Sequence, residues 1–427
     1  MLSTVGGDWR LLKGDREVRS FSQPTGRQRH SCFAGYPTLH IIVVTDRCNQ
    51  SCAYCQASAR PAGDETLDQD WNAQDLDGIV SFALRHSNER LTVEFQGGEP
   101  LLNFTDIQYL VRQFEGAGEA QSKAIQFVLA SNLTTLSEEV AAFLAGHSFV
   151  VSASLDGLPL LHNAFRKLPW EEEAYARALA GIAMLRRHGL HPGVLTVVTG
   201  KSLAYPEEIV DHLVDLGMHR IFLKSVYPLG QAQKAWAQVG LEPGEYGRFW
   251  KRAVKRCFAH NRAEIPVVER TLALLVRKVL WGQEPCYVDL SSPCGAVHGQ
   301  IVYDLQGNIY PCDEGRFGAA FPVGNVASST FQELVQHPST LAFRRTSQTV
   351  EEYCGTCAYR PWCGRCPALA HHQRGRLDLP SPAYFYCHLL TSVFDAFFEL
   401  VAECPEEIEV VARIVSLTDL FESGLGA

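Results

Sequence analysis

The 427-residue sequence has no uninterrupted apolar run near the about 18 residues that a membrane-spanning helix needs. It also has no block of basic residues: 38 Lys and Arg stand against 47 Asp and Glu, a net charge of −9. This balance argues against nucleic acid or an anionic membrane as the main partner. The beginning, MLSTVGGDWRLLKGD, lacks the apolar stretch of a secretory signal. We therefore expect a soluble cytoplasmic protein with no nucleic-acid or membrane partner.

Cysteine is absent between Cys55 and Cys257, although the whole chain contains fourteen cysteines. One group lies at 48–55 and a second spans 286–387. Disulfides are not expected to persist in a reducing compartment, so clustered cysteines in a cytosolic chain indicate metal binding. Three cysteines outside these groups, Cys32, Cys257 and Cys404, are interpreted as ordinary thiols. The length predicts two or three domains.

Short apolar segments alternate with helical patterns between 39 and 226. The segments are rich in β-branched and aromatic residues without strict alternation, which is typical of strands buried on both faces of a parallel sheet. Ser137 is a plausible helix start, and Gly189 and Gly217 are plausible helix ends. We predict an α/β fold, a partial (β/α)6 TIM-like barrel whose chemistry lies at the carboxyl ends of the strands. The predicted strands are 39–45, 91–96, 125–131, 149–155, 194–199 and 220–226, and the predicted helices are 67–87, 104–115, 136–146, 171–188 and 204–216.

The first predicted strand leads directly into Cys48, Cys52 and Cys55, a C-x3-C-x2-C spacing. Three thiolates on one loop can hold three irons of a 4Fe–4S cluster and leave the fourth iron open to another ligand. A structural zinc site is the alternative. Such sites normally have four close ligands, and no fourth Cys or His lies nearby in the sequence.

Polar residues also follow the next three predicted strands. Each group alone is an ordinary turn, but together they place ammonium, hydroxyl and carboxylate partners on one rim. The paired glycines of the first group would let the backbone approach a ligand closely. The groups are Gln96-Gly97-Gly98-Glu99-Pro100, Ser131-Asn132, and Ser154-Leu155-Asp156-Gly157 with Arg166 soon after.

The cysteine loop, followed by GGEP, by SLDG and then by HN-x2-R, resembles the radical S-adenosylmethionine (SAM) enzymes. The resemblance implies that SAM chelates the open iron and is cleaved to a 5′-deoxyadenosyl radical, which abstracts a substrate hydrogen. It also implies a role for individual residues. Cys48, Cys52 and Cys55 would hold the cluster, Tyr54 would lie beside the adenine, Gly97, Gly98 and Glu99 would face the methionine amino group, Asn132 and Ser154 would lie near the ribose, and Arg166 near the carboxylate. An adenine contact at Leu195 or Val197 stays unassigned.

The C-terminal cysteines resemble the SPASM extension of radical SAM peptide maturases, although Cys363-x2-Cys366 is one residue shorter than the family's spacing. A zinc knuckle is the alternative interpretation of 354–366. The resemblance implies two further 4Fe–4S clusters, which makes three in all. These two auxiliary clusters suit electron transfer if each has four cysteine ligands. Without Cys286 the first auxiliary cluster would have an open iron. The implied ligands are Cys286, Cys294, Cys312 and Cys366 for the first cluster, and Cys354, Cys357, Cys363 and Cys387 for the second.

Asp313 directly follows Cys312, and in sulfatase-maturating relatives an aspartate in the matching place acts as a base. The resemblance therefore implies a catalytic role for Asp313. The alternatives are a solvated turn acid or an ion pair between Glu314 and Arg316. The predicted organisation is a short N-terminal extension, a radical SAM barrel, a helical bridge, a SPASM domain and a C-terminal helical segment. Their bounds are 1–37, 38–226, 227–285, 286–390 and 391–427.

Over 38–390 the sequence is most similar to the His-Xaa-Ser-system subgroup of SPASM peptide maturases. This implies a small ribosomal precursor peptide as substrate, modified by a carbon–carbon (cyclophane-type) or carbon–heteroatom crosslink. Thioether formation, oxidation of one Cys or Ser to an aldehyde, and a non-catalytic zinc or electron-carrier scaffold are the alternatives. The implied partners are an electron donor such as flavodoxin or ferredoxin and, for leader recognition, a separate leader-binding protein or second maturase.

Overall fold

The computed structural model describes eleven stretches of the chain, and every structural statement below concerns them. They are residues 2–5, 8–13, 16–21, 35–64, 73–169, 173–284, 290–304, 306–317, 321–347, 354–377 and 385–417.

Six parallel strands form the centre of the fold, in the order β13-β12-β10-β9-β8-β4. Most of their side chains are buried, and all seven residues of β4 are buried. The reason is that helices cover the outer face of these strands, while the inner face lines the interior of the barrel. All six predicted strands are confirmed within two residues at each end. They are β4 (Leu39–Thr45), β8 (Arg90–Gly97), β9 (Ala124–Ser131), β10 (Val150–Ser154), β12 (Gly193–Val198) and β13 (Arg220–Ser225).

Helices connect these strands where the sequence predicts them, and one further helix, Pro159–Phe165, was not predicted. The Ser137 side chain accepts a hydrogen bond from the Val140 backbone N–H and caps its helix, as expected. Gly189 and Gly217 follow their helices with φ of +80° and +71°, the left-handed conformation that glycine adopts most easily. Residues 65–72, where the first predicted helix would begin, lie outside the described residues. The helices are Ala73–Arg85, Phe104–Ala120, Glu138–Gly146, Pro159–Phe165, Ala174–Arg187 and Pro206–Asp215.

The sheet extends beyond the six predicted strands at both edges. The two-residue strand β14 (Val268–Glu269) pairs in parallel with β13. At the other edge β15 (Gln300–Tyr303) pairs in parallel with β4 and continues into antiparallel β16 (Asn308–Tyr310) and β17 (Gly324–Asn325). The result is one ten-stranded sheet. The cysteine-rich region is therefore joined to the first barrel strand by main-chain hydrogen bonds.

The segment after β13 is mainly helical, as predicted. Its long helix Pro243–Arg262 packs against the helix Phe385–Glu403, where the Ser392 hydroxyl donates to the Pro243 carbonyl at 2.7 Å. The other helical elements of this segment are Gln231–Lys234, Trp236–Val239, Arg270–Leu275 and the π-helix Val276–Leu280.

The helix Phe385–Glu403 is long and apolar enough to cross a membrane by length and composition alone. However, 56% of this stretch is buried inside the protein, and the core helix of a globular protein passes the same test. It runs through the predicted domain boundary at 390, and the helix Pro405–Leu417 follows it. The remaining helices are Asp313–Arg316, Phe331–Gln336, Pro338–Ser347 and Pro367–Arg374.

The N-terminal region contains three short antiparallel strands in the order β1-β2-β3. Leu11, on the middle strand, is 4% exposed and belongs to the main hydrophobic core. This small sheet is therefore attached to the body of the protein by apolar packing. The strands are β1 (Leu2–Val5), β2 (Asp8–Lys13) and β3 (Arg16–Phe21).

Candidate active site

One cavity opens at the carboxyl ends of the parallel strands, and its empty volume including the mouth is about 1070 Å³. It contains the three loop cysteines, all seven predicted cofactor residues and Asp313. Leu195 and Val197, which the sequence left unassigned, line it as well. The predicted residues that meet here are Cys48, Cys52, Tyr54, Cys55, Gly97, Gly98, Glu99, Asn132, Ser154, Arg166 and Asp313.

Two miniature sheets hold the cysteine loop in place. Strand β5 (Arg47–Cys48) pairs with β7 (Arg60–Pro61), and β6 (Ser51–Cys52) pairs with β11 (Arg166–Lys167). An ion pair of 2.7 Å between Arg60 and Asp46 adds a further tie. The loop is thus fixed at both ends, and its pairing brings Arg166 directly opposite Cys52.

The three loop thiols lie close to one another at the rim of the cavity. Burial raises the pKa of both Cys48 and Cys52 to about 12, and the three thiols are electrostatic neighbours of one another. Three thiolates on one loop can hold three separate irons of a 4Fe–4S cluster.

Gly97 and Gly98 bring the end of β8 against the cysteine loop. A Cβ on Gly97 would lie 2.2 Å from the Thr45 carbonyl oxygen, and one on Gly98 would lie 2.2 Å from that of Arg47. The Gly98 and Glu99 backbone N–H groups donate to these two oxygens at 2.9 and 2.8 Å. The sequence interpretation attributed the glycines to close approach of a ligand. In the structure their missing Cβ atoms make room for the loop backbone.

Glu99 is 1% exposed and links the ends of two strands. Its carboxylate accepts from the Ser131 hydroxyl at 2.6 Å and from the backbone N–H groups of Asn132 and Leu101 at 2.8 and 3.2 Å. Burial raises the pKa of Glu99 to about 7, although these hydrogen bonds oppose the rise. A carboxylate has about four acceptor positions. The three donors found among the described residues therefore leave one position for a donor inside the cavity.

Asn132 connects the third strand to the cysteine loop. Its Nδ2 donates to Asn49 Oδ1 at 2.9 Å and reaches the Cys48 sulfur at 4.0 Å. Its Oδ1 accepts from the backbone N–H and the hydroxyl of Thr134 at 2.9 and 2.6 Å. The amide orientation is therefore fixed on both sides. The predicted ribose contact thus also positions a cysteine of the loop.

Asp156 was not among the predicted site residues, yet it organises two that were. The Tyr54 hydroxyl donates to it, and the Arg166 Nε and Nη2 groups donate to its two oxygens at 3.0 and 3.2 Å. Burial opposes ionisation of Asp156, but the Arg166 charge holds its pKa below the usual value. The SLDG segment could have pointed to Asp156 as a site residue, because this acid follows the end of a predicted strand. What the sequence did not reveal is that this acid pairs with Arg166.

Asp313 lies in the same cavity and forms an ion pair with Arg316, with 2.8 Å between Oδ1 and Nε. Arg316, for which a pair with Glu314 was the alternative, is paired here with Asp313, three residues earlier on the helix Asp313–Arg316. Lys224, also unassigned from the sequence, lines the cavity beside them. A pair of opposite charges and an additional cation therefore border the space where a substrate would lie.

Glu94 lies beneath this rim and is completely buried on β8. Gln96, which lines the cavity, donates to its Oε1 at 2.7 Å, whereas Oε2 has no hydrogen-bond partner among the described residues. Burial raises the pKa of Glu94 to about 7, the hydrogen bond from Gln96 lowers it, and the charge of Asp313 raises it further. The interior of the barrel thus contains a carboxyl group poised between its charged and neutral forms.

The first auxiliary group of thiols comprises Cys294, Cys312 and Cys366. Cys294 and Cys312 are buried, and burial followed by the charges of Glu314, Cys294 and Cys366 raises the pKa of Cys312. A Cβ on Gly315 would lie 3.2 Å from the Cys312 sulfur, so the glycine makes room for it. Cys286, the predicted fourth ligand, lies outside the described residues, and its role remains a prediction.

The second group comprises Cys354, Cys357, Cys363 and Cys387. Burial raises the pKa of Cys363 to about 12, and the charges of the other three thiols act in the same direction. Cys366 is only three residues from Cys363, yet its thiol neighbour is Cys294. Apart from Cys286, the thiols implied by the resemblance to share a cluster are therefore the ones that the fold brings together, and the shorter spacing does not prevent it. Cys257, predicted to be an ordinary thiol, is 1% exposed in the core.

The comparisons with known proteins agree with this geometry. Residues 42–217 match the model of the Radical SAM superfamily, and residues 294–358 match SPASM, an iron–sulfur cluster-binding domain. A cysteine-type anaerobic sulfatase-maturating enzyme of Clostridium perfringens is 23% identical over 389 residues, which cover 87% of this chain and 100% of that protein.

Two solved structures have a similar fold. Native anSMEcpe with bound AdoMet is 21% identical with a TM-score of 0.72, and the match covers 88% of this chain and 100% of the other. SuiB of Streptococcus suis, bound to its precursor peptide SuiA, is 14% identical with a TM-score of 0.60, over 82% of this chain and 76% of the other.

The parallel barrel with its cysteine loop lies within the Radical SAM match, and the second cysteine-rich region includes the SPASM match, so both regions belong to the class of iron–sulfur enzymes that use SAM. With both domain matches, the chain is a radical SAM enzyme of the SPASM type. This confirms the predicted SAM and iron–sulfur cofactors and excludes the non-catalytic scaffold.

Proposed function

We propose that this enzyme binds a small ribosomal precursor peptide and closes a carbon–carbon or carbon–heteroatom crosslink in it. The observation that carries the proposal is the single cavity shared by the three loop thiols, the cofactor rim and Asp313. The similarity in fold to SuiB, which was solved with a precursor peptide, supports a peptide as the substrate.

When loaded, the three clusters and SAM supply a hydrogen-abstracting 5′-deoxyadenosyl radical and an acceptor for the electron that the product must give up. The chain's own residues would hold SAM. Glu99 would accept a hydrogen bond from the ammonium group of SAM, and Asn132 and Ser154 would lie near the ribose. Arg166, whose guanidinium donates to Asp156, would face the carboxylate of SAM.

Asp313 is the proposed base. Formation of a new bond from a substrate radical releases one proton, and a carboxylate within the cavity can accept it. Its ion pair with Arg316 holds Oδ1 in place and leaves Oδ2 for the substrate. Asp313 is thereby oriented before the substrate arrives, as general-base catalysis requires.

The test is anaerobic reaction of the reconstituted enzyme with short peptides encoded beside its gene, followed by mass spectrometry. A crosslink removes two hydrogens from the peptide and blocks fragmentation between the joined residues. Asp313→Asn should keep 5′-deoxyadenosine formation and lose the crosslinked product. Full product formation by this variant would contradict the role of Asp313, and an unmodified peptide with wild-type enzyme would contradict the proposed function.

Oxidation of one Cys or Ser to an aldehyde is the second candidate. The similarity along 87% of this chain to a cysteine-type anaerobic sulfatase-maturating enzyme favours it. The same experiment separates the two, because oxidation changes one residue and leaves fragmentation on both sides of it intact. A thioether would appear as a crosslink that involves a cysteine of the peptide.

The proposed partners follow from the cofactors. The clusters need a low-potential donor such as flavodoxin or ferredoxin, and a reducing cytoplasm keeps the ligating thiols from forming disulfides. We propose that leader recognition comes from a separate leader-binding protein or a second maturase. No nucleic-acid partner is proposed for this acidic chain.

A further inference from the structure

A second cavity lies between the end of β13 and two helices, Arg270–Leu275 and Phe385–Glu403. Its volume is about 70 Å³. We call it the side chamber. The lining residues are Phe222, Leu223, Lys224, Ser225, Tyr227, Tyr246, Arg270, Thr271, Leu274, Leu275, Leu290, Tyr386, Leu389, Leu390, Val393 and Phe394.

The walls of the side chamber are mainly apolar, and several of its polar groups already have partners within the protein. The Tyr246 hydroxyl donates to the Leu223 carbonyl at 2.5 Å. The Arg270 guanidinium lies over the Phe222 ring at 4.6 Å, and the Lys224 ammonium lies over the Tyr227 ring at 5.5 Å. Small cavities with leucine and phenylalanine walls stay dry and bind apolar groups.

The side chamber adjoins the active-site cavity. Lys224, Ser225 and Tyr227 line both spaces. A peptide whose reacting residue lies beside Asp313 can therefore place the side chain of a nearby residue past Lys224 and into the chamber. The contact would fix the position of the peptide along the cleft, as the orientation of a reacting group requires.

We propose that the side chamber is a subsite for one branched aliphatic side chain of the substrate peptide, such as leucine. Its volume is about half of the roughly 150 Å³ cavity that holds benzene, which suits an isobutyl group better than an aromatic ring. The inference rests on the proposed peptide substrate, because it assigns a specificity-determining contact to that substrate.

The experiment measures binding of capped amino acids to the anaerobic holoenzyme by saturation-transfer difference NMR. N-acetyl-L-leucinamide and N-acetyl-L-asparaginamide have nearly the same shape, and they differ in polarity. The leucine probe should bind about tenfold more tightly, since burial of its side chain favours the complex. Leu274→Phe, which fills the chamber, should abolish this preference. Leu160→Phe, at a position 58% exposed, is the matched control and should keep it.

Leu274→Ala tests the subsite by a gain in affinity for a larger probe, which a misfolded variant would not show. The enlarged chamber should bind N-acetyl-L-phenylalaninamide better than the leucine probe. Equal binding of the leucine and asparagine probes to wild type would overturn the subsite, as would Leu274 variants with unchanged preferences. An enzyme that keeps the probe preference but modifies no peptide would refute the proposed function and leave the subsite intact.

Discussion

Arg166 lies 3.0 Å from Asp156, Nε to Oδ2, and both side chains are buried at the rim of the cavity. The pair joins the loop that carries Cys52 to the end of β10, because Arg166 also pairs with Cys52 across β11 and β6. One buried ion pair therefore supports the position of the cysteine loop and orients Arg166, the proposed partner of the SAM carboxylate.

Asp156→Asn should reduce the free energy of unfolding by about 3 kcal/mol, because it leaves the buried Arg166 charge without its counter-charge. Binding of SAM, measured by isothermal titration calorimetry, should weaken as Arg166 loses its orientation. The matched control is Asp46→Asn, whose pair with Arg60 is partly exposed and worth about 1 kcal/mol or less. Equal losses of stability in urea titrations of the two variants would contradict this account.

Gly98→Ala should displace the cysteine loop, since its Cβ would lie 2.2 Å from the Arg47 carbonyl oxygen. We expect loss of the loop cluster's iron, counted by Mössbauer spectroscopy, and a destabilisation of about 1–3 kcal/mol. Gly63→Ala, where no atom lies within 4 Å of the new Cβ, should keep the full iron content. A fully loaded Gly98→Ala enzyme would show that the close approach is unnecessary.

The two auxiliary thiol groups predict paired effects of cysteine substitutions. Cys312→Ala and Cys366→Ala should remove the same electron paramagnetic resonance signal, and Cys363→Ala and Cys387→Ala should remove a different one. Cys257→Ala should keep every signal, because this thiol lies in the core apart from both groups. If Cys363→Ala and Cys366→Ala lost the same signal, the crossed grouping would be incorrect.

Glu94 predicts a change of stability with pH. Its pKa is raised by burial from 4.5 to about 7, so the folded protein binds this proton more tightly than the unfolded chain does. Its stabilising contribution is complete below about pH 4.5 and is lost as the pH rises through 7. The free energy of unfolding of Glu94→Gln, relative to that of wild type, should therefore rise between pH 5 and pH 8 by an amount on the order of 2 kcal/mol. Urea titrations at both pH values measure it, and a constant difference would refute the assignment.

The parallel strands could be predicted because runs such as Leu39–Thr45 and Ala124–Ser131 contain their own signal in buried, β-branched residues. Strand β14, with two residues, and strands β15 to β17, with two to four, escaped prediction. Segments this short have no periodicity of their own, and only a partner strand in the folded protein makes them strands.

The residues of the candidate site also fall into those that the sequence could predict and those that it could not. The loop cysteines, Gly98 and Glu99 were found because they lie together in the sequence at family spacing. The partnership of Asp156 with Arg166, the buried carboxyl of Glu94 and the position of Lys224 were not found. Each depends on residues that come close only through tertiary packing, which the order of the chain does not reveal.

The parallel pairing of β15 with β4 limits how a substrate can arrive. A barrel and a cluster domain connected by a linker alone could swing apart to admit a bulky chain and then close over it. Here such a movement would break the hydrogen-bonded ladder between β15 and β4 inside a ten-stranded sheet. The proposed peptide substrate would therefore have to enter the cavity as an extended segment, with the two regions still joined.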